Sequence, residues 1–294
     1  MNRRTLLKTT AASVFAVPLV GQVSLAQQRN RASAQEDVAE YKTKGNIKQS
    51  VSKWCFGSIP LERFIPICKR LGMVGIDLLD PDVWDVMLQN DMIVTMGNVP
   101  GNGGIPSGFN REKNHDKLVE VYEQWIPVAA EKKVPNLICF SGNREGLADE
   151  EGLEVCVKGL KRIAPIAEKH KVNICMELLN SKDHTDYQCD KTPWGGEICR
   201  RVGSERIKVL YDIYHMQRME GDLINMVRGY KDIIGHIHTG GNPGRNDIDE
   251  TQEINYPPIM KALVDVGFKG FVAHEFLPKN GLQSLRRGVE ICDV

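Results

Sequence analysis

Beyond residue 46 the chain alternates short apolar runs with longer amphipathic ones, and this alternation restricts its fold more than any other feature. Read as strands, the short runs are 47–56, 73–79, 92–99, 136–141, 172–179, 207–214, 233–239 and 270–276. Between them lie stretches of helical spacing such as 115–132 and 150–169. In the latter, Leu153, Val157, Leu160, Ile163, Ala164 and Ala167 recur at intervals of three and four. An unbroken β-α-β-α order requires parallel strands. About eight such units in about 250 residues predict a closed (β/α)₈ TIM barrel rather than an open doubly wound sheet. No G-x-G-x-x-G follows the first run, which argues further against a dinucleotide-binding fold. The expected catalytic domain is one barrel over 47–294.

The residues ahead of it differ in kind. Arg3-Arg4 precedes a mild apolar run from Ala11 to Val20, and Ser24-Leu25-Ala26 offers small residues for a signal peptidase. This segment resembles a twin-arginine export signal, and its apolar run is too short to span a bilayer of about 30 Å. The expected plan is a signal over 1–26, a polar linker over 27–46 and then the barrel, giving an exported, periplasmic protein with no membrane insertion in its mature form. Lys plus Arg equal Asp plus Glu at 38 each, so no overall field recommends nucleic acid as a partner. The eight cysteines form no C-x-x-C pair and read as small buried hydrophobes. A homo-oligomer stays open.

Chemistry in such a barrel sits at the carboxyl ends of the strands, so polar residues closing apolar runs are the candidates. Glu177, Asp212, His238 and Glu275 close or follow four consecutive runs, at intervals of 35, 26 and 37 residues. Successive strands are neighbours around the ring. Three carboxylates converging in a low-dielectric mouth would cost several kcal/mol unless a cation compensates them. A divalent metal does so, and three oxygen donors with one imidazole suit Mn²⁺, Mg²⁺ or Co²⁺, with Zn²⁺ admissible. Period-2 alternation puts Asn173, Cys175 and Glu177 on one face of their strand and Ile234, His236 and His238 on one face of theirs. His236 reads as a core histidine beneath the ligand and His274 as one packed against a helix.

At these positions the chain resembles a known family. Met176-Glu177-Leu178, Tyr211 to Gln217, Gly235-His236-Ile237-His238-Thr239-Gly240, Glu253 to Pro257 and His274-Glu275-Phe276 are similar to the motifs of the hydroxypyruvate isomerase family, within the xylose-isomerase-like barrels that also include ketose 3-epimerases. The resemblance runs over about 47–294 and is sharpest from Leu210 to Pro257. It implies metal ligation by Glu177, Asp212, His238 and Glu275, proton transfer by Glu177 and Glu275, and substrate contacts at His215 and Arg245. Hydroxypyruvate isomerases often carry Gln where this chain has His238, whereas the epimerases carry His, so the substrate stays between a small hydroxy-keto acid and a sugar.

The chemistry follows from the groups as well. Moving a carbonyl along a carbon chain starts with loss of a C–H proton, which requires stabilisation of the resulting enediolate by a Lewis acid and a positioned base. The expected activity interconverts hydroxypyruvate and tartronate semialdehyde or a related small hydroxycarbonyl compound. The alternatives are 3-epimerisation of a ketose or keto-glycoside and a sugar-binding or partner-binding barrel without turnover. Two loops are further candidates. The turn-rich segment 97–114 reads as a lid, and 180–196 offers His184 and Trp194 as substrate contacts.

Overall fold

A computed structural model describes residues 38–294. Eight strands form among them, each inside one of the expected runs: β1 (Gln49–Val51), β2 (Gly75–Ile76), β3 (Ile93–Val94), β4 (Asn136–Cys139), β5 (Asn173–Glu177), β6 (Ile207–Asp212), β7 (Ile234–Thr239) and β8 (Val272–His274). Six pair in parallel in the order β1-β8-β7-β6-β5-β4, and β2 pairs with β3. Single bridges, Ser52 with Asp77 and Gly97 with Leu137, join that pair to both edges of the larger sheet and close the ring. Ring closure removes every sheet edge, as a barrel demands. The approach of β2 to β3 is close enough that a Cβ on Gly75 would lie 2.3 Å from the Ile93 carbonyl oxygen.

Among the described residues nine α-helices follow or flank the strands: α1 (Leu61–Arg70), α2 (Trp84–Gln89), α3 (Glu112–Glu131), α4 (Asp149–His170), α5 (Thr192–Val202), α6 (Ile213–Met219), α7 (Leu223–Gly229), α8 (Tyr256–Asp265) and α9 (Leu282–Cys292). Helix α4 shows why its sequence folds this way. Its six apolar positions are all buried, its first turn carries Asp149, Glu150 and Glu151, and its last turn carries Lys169 and His170, matching the helix dipole at both ends. Each fully buried large apolar side chain contributes about 1.5–3 kcal/mol. Most of the core lies between helices and strands, while Met96, Ile138, Cys175 and Leu210 form a smaller cluster of their own. Cys175 and Leu210 alternate with outward residues on β5 and β6, as period-2 patterning requires.

Three expectations change. The run 207–214 is strand only to Asp212, and Tyr214 is helical, because the Asp212 side chain accepts the His215 backbone N–H and starts α6 at once. The polar stretch expected as a linker through residue 46 is docked from Val38 onward. Val38 is buried, the Tyr41 hydroxyl donates to Asp293, and the Lys44 backbone N–H donates to the same carboxylate. The lid segment 97–114 is strapped down in its second half, where the Phe109 and Asn110 N–H groups donate to the Phe140 and Ser141 carbonyls. The signal expected over 1–26 lies outside the described residues. Among the described residues no helix is long and apolar enough to cross a membrane. Seven of the eight cysteines are buried and Cys55 is partly so.

Candidate metal centre and active site

The strand register brings the four strand-end residues together. Asp212 on β6 lies directly opposite His238 on β7, Glu177 ends β5 beside them, and Glu275 follows β8 on the other flank. One ligand atom from each of Glu177, Asp212, His238 and Glu275 falls within 4.8 Å of the others, and all four residues are buried. His238 Nδ1 is 2.5 Å from Glu275 Oε2, 3.6 Å from Glu177 Oε1 and 3.9 Å from Asp212 Oδ2.

The donor set fits a divalent cation. The Nε2 of His238 lies 2.8 Å from Asp77 Oδ2, an acceptor, so Nε2 carries the proton and donates it there. Nδ1 points at the three carboxylates, and against the opposing effect of burial the nearby Glu275, together with Asp77 and Glu177, holds the imidazole pKa well above its usual value. Three buried carboxylates facing one point repel one another unless positive charge lies between them; here the His238 imidazole and the Arg245 guanidinium supply it, and a bound cation would take over that role with Nδ1 giving up its proton to become a ligand. Mn²⁺, Mg²⁺, Co²⁺ or Zn²⁺ would meet three oxygens and one nitrogen there.

The protein's own charges respond to this crowding. Burial raises the Glu177 carboxyl above its usual range and the adjacent Glu275 charge adds to the rise, against the pull of His238 and Arg245. Burial and Glu275 likewise raise Asp212. Glu275 goes the other way: burial is outweighed by Arg245, His238 and the Trp54 hydrogen bond, which hold it well below the carboxylate range. Two carboxyl groups of one site are thus pushed apart, a recurring arrangement where one serves as acid and the other as base.

Arg245 is not a solvated loop cation. A turn closed by reciprocal hydrogen bonds between Gly241 and Asn246 holds it, and its guanidinium Nη2 reaches Asp212 Oδ2 at 2.5 Å and also Glu275 Oε2. Its Nε donates to the Glu275 carbonyl at 3.0 Å. The guanidinium therefore lies against two of the oxygens that would face a metal. His215 is carried into the site by the same N-cap that starts α6, since the third residue of a helix sits over its cap. Its Nδ1 accepts from the Asn180 backbone N–H at 3.1 Å and faces the Asn180 amide, so Nε2 carries the proton and lies 3.6 Å from Asp212 Oδ2. Burial, reinforced by Arg245, keeps His215 neutral by lowering its pKa well below the usual value. His184 packs edge-on against it, with ring centroids 5.4 Å apart.

Trp194 does not join them. It lies at the start of α5, not in the preceding loop, and its indole N–H donates to the Asp149 carbonyl at the N-terminus of α4, in the outer helical layer. His236 is buried as expected, but neither of its ring nitrogens makes a hydrogen bond; Nε2 lies 3.0 Å from Asp77 Oδ1. His274 is satisfied, facing Gln49 at 2.8 Å and Thr239 at 3.1 Å.

Two residues that the strand-end reading passed over belong to the site. Asp77 follows the apolar run Met73 to Ile76 and meets the same criterion that singled out Glu177. Trp54 lies in the turn after β1, where its indole N–H donates to Glu275 Oε1 at 2.7 Å while about half of its surface stays exposed. Nothing in the local sequence around Trp54 indicates that contact.

Known proteins resemble this chain in sequence and fold. A sequence model of the family described as "Xylose isomerase-like TIM barrel" matches residues 82–292. Hydroxypyruvate isomerase of Escherichia coli strain K12 is 28% identical over 223 residues, covering 71% of this chain and 85% of that enzyme. Among solved structures, an AP endonuclease of family 2 from Brucella melitensis superposes with a TM-score of 0.73 at 21% identity, over 80% of this chain and 97% of that one. The apo form of 3-keto-D-glucoside 4-epimerase from E. coli gives a TM-score of 0.68 at 15% identity, over 84% and 98%. At these identities the structural likeness is one of fold.

Proposed function

Because the chain belongs to the xylose isomerase-like TIM barrel family, we propose that it is a metal-dependent isomerase that interconverts hydroxypyruvate and tartronate semialdehyde or a closely related small hydroxycarbonyl compound. The observation that carries this reading is the buried convergence of Glu177, Asp212, His238 and Glu275 around one point, with His238 Nδ1 aimed at the carboxylates. A cation held there supplies Lewis-acid stabilisation to the carbonyl and adjacent hydroxyl oxygens of the substrate.

The chain's own groups do the rest. Glu275, anchored through Oε1 by the Trp54 indole, takes the C–H proton. Glu177 returns a proton to the neighbouring carbon, the proton of the hydroxyl that becomes the carbonyl passes to the oxygen that becomes the hydroxyl, and exchange with solvent resets the two glutamates. His215, neutral with its proton on Nε2, donates to the substrate oxygen that gains charge in the enediolate. Asp212 and Glu275 would hold the cation in place of the Arg245 guanidinium that now contacts both, and Arg245 would then be released to pair with a substrate carboxylate or hydroxyl. A second reading, 3-epimerisation of a ketose or keto-glycoside by the same groups, is favoured by the two exposed apolar side chains next to Glu275 in space or sequence, Trp54 and Leu277.

The test is turnover by the purified protein loaded in turn with Mn²⁺, Mg²⁺, Co²⁺ and Zn²⁺, with hydroxypyruvate, ketoses and keto-glycosides as substrates in deuterated solvent. Metal-dependent isomerisation with deuterium incorporation is the expected result. Absence of both with every metal would overturn the enzymatic reading and leave a binding barrel. Turnover faster by orders of magnitude on a sugar would reassign the substrate and keep the mechanism. The paired arginines of the leader support a further element of the proposal, that the protein is exported to the periplasm.

A further inference from the structure

Asp77 is a fully buried carboxylate placed beneath the metal-binding cluster, ahead of the residues matched by the family model. Burying such a charge costs several kcal/mol unless hydrogen bonds or counter-charges compensate it. Here Oδ2 accepts from His238 Nε2 at 2.8 Å, and Oδ1 accepts from the Thr95 hydroxyl at 2.6 Å and lies 3.0 Å from His236 Nε2. The Thr95 and Ser50 hydroxyls are 2.9 Å apart. Thr95 gives its one proton to Asp77, which as a carboxylate can only accept, so Ser50 supplies the proton between the two hydroxyls. A chain of directed hydrogen bonds thus runs from Ser50 through Thr95 and Asp77 to His238. The backbone fixes its centre: the Asp77 N–H donates to the Val51 carbonyl at 2.8 Å and its carbonyl accepts from the Lys53 N–H at 3.2 Å.

We propose that Asp77 is a positioning residue for metal binding, which accepts the Nε2 proton of His238 and so aims Nδ1 at the point shared by Glu177, Asp212 and Glu275. The proposal rests on the metal-dependent reading above. Without Asp77 no buried acceptor would hold Nε2–H, and the ring would be free to turn or to keep its proton on Nδ1 against Glu275, 2.5 Å away, instead of yielding that position to a cation. Hydrogen bonding to Asp77 also makes the imidazole a stronger donor to a cation. Thr95 and Ser50 extend the restraint by fixing the carboxylate rotamer from the β1 and β3 sides of the barrel.

The test uses the full-length protein with Asp77→Asn and Thr95→Val, and its readouts are binding rather than turnover. Calorimetric titration with Mn²⁺ or Zn²⁺ should give one ion per wild-type chain. Asp77→Asn should bind about 10- to 100-fold more weakly, in line with outer-shell substitutions at other metal sites. Thr95→Val, which keeps its shape and the His238 bond, should bind more weakly than wild type but more tightly than Asp77→Asn. Histidine ¹⁵N spectra of the Zn²⁺-loaded protein should report His238 coordinated through Nδ1 and protonated on Nε2 in wild type, with that pattern lost or mixed in Asp77→Asn. If Asp77→Asn fails to fold, the Thr95→Val affinity and the wild-type tautomer decide the matter. Unchanged affinity in every folded variant, or wild-type His238 coordinating the ion through Nε2, would overturn the proposal. Two ions per wild-type chain with the second lost in Asp77→Asn would also overturn it, making Asp77, His236 and His238 a second ligand set. Failure of the wild type to bind any ion would instead strike the functional reading itself.

Discussion

Replacing Glu275 by glutamine tests the mechanism most directly, because the structure gives the two carboxylate oxygens different tasks. Oε2 faces His238 Nδ1 and the Arg245 guanidinium, while Oε1 accepts from the Trp54 indole at 2.7 Å. An amide has one acceptor oxygen and one donor nitrogen, whereas Arg245 and Trp54 are both donors. The Glu275→Gln side chain can therefore satisfy only one of them and must turn its NH₂ toward the other. At least one charge-assisted hydrogen bond is lost, about 1.5–3 kcal/mol in a buried setting. The larger effect is chemical, since the amide cannot accept the C–H proton. Loss of a general base lowers the rate about 10²- to 10⁴-fold, equivalent to about 2.7–5.4 kcal/mol in the barrier. The assay is isomerisation and solvent deuterium exchange by both proteins, with metal occupancy brought to saturation and confirmed by metal analysis. Near wild-type exchange by the fully metallated Glu275→Gln protein would refute the reasoning, leaving Glu275 a ligand with no part in proton transfer.

Asp212→Asn should behave differently, because Asn still caps α6 and loses mainly the charge facing the cation. Its activity should rise with added metal toward a partial recovery, and a deficit independent of metal concentration would contradict the ligand role. Asp183, held at about 2 by Arg218, Tyr214 and Asn180 despite the opposing effect of its partial burial, ties down the loop that carries His184. Its folded pKa lies below the unfolded value of about 3.9, so its stabilisation is complete above that value and lost as pH falls toward 2. Solvent screening of this partly exposed ion pair limits the effect to about 1 kcal/mol, so urea unfolding should show Asp183→Asn weaker by that amount at pH 7 and the gap closing below pH of about 4. For export, Arg3→Lys with Arg4→Lys should abolish transport and leave the leader uncleaved. Unaltered export, with Met1 retained on the exported protein, would rule out the leader assignment.

Periodicity alone located all eight strands, because a strand flanked by helices on a barrel must be apolar over its length and a helix on its outside must be apolar on one face. Glu177, Asp212, His238 and Glu275 were legible for a related reason: ionisable residues at the ends of apolar runs are costly unless a site uses them, and four in consecutive βα units must converge once the ring closes. The boundary at Asp212 was only half legible. A strand-end Asp serves equally as helix cap and ligand, and in the structure Asp212 caps His215 through Oδ1 and turns Oδ2 toward the other candidate ligands. Trp194 illustrates the opposite outcome, a residue whose loop position suggested the mouth but whose helix turns it to the outer layer. The contacts of Arg245, Trp54 and Asp77 were decided by tertiary structure alone. Arg245 meets Glu275 across 30 residues, and Asp77 meets His238 across 161 residues through the closing strands of the barrel. Local sequence fixes which face of a strand or helix a residue occupies, but which distant donor completes a buried acceptor depends on how the ring closes.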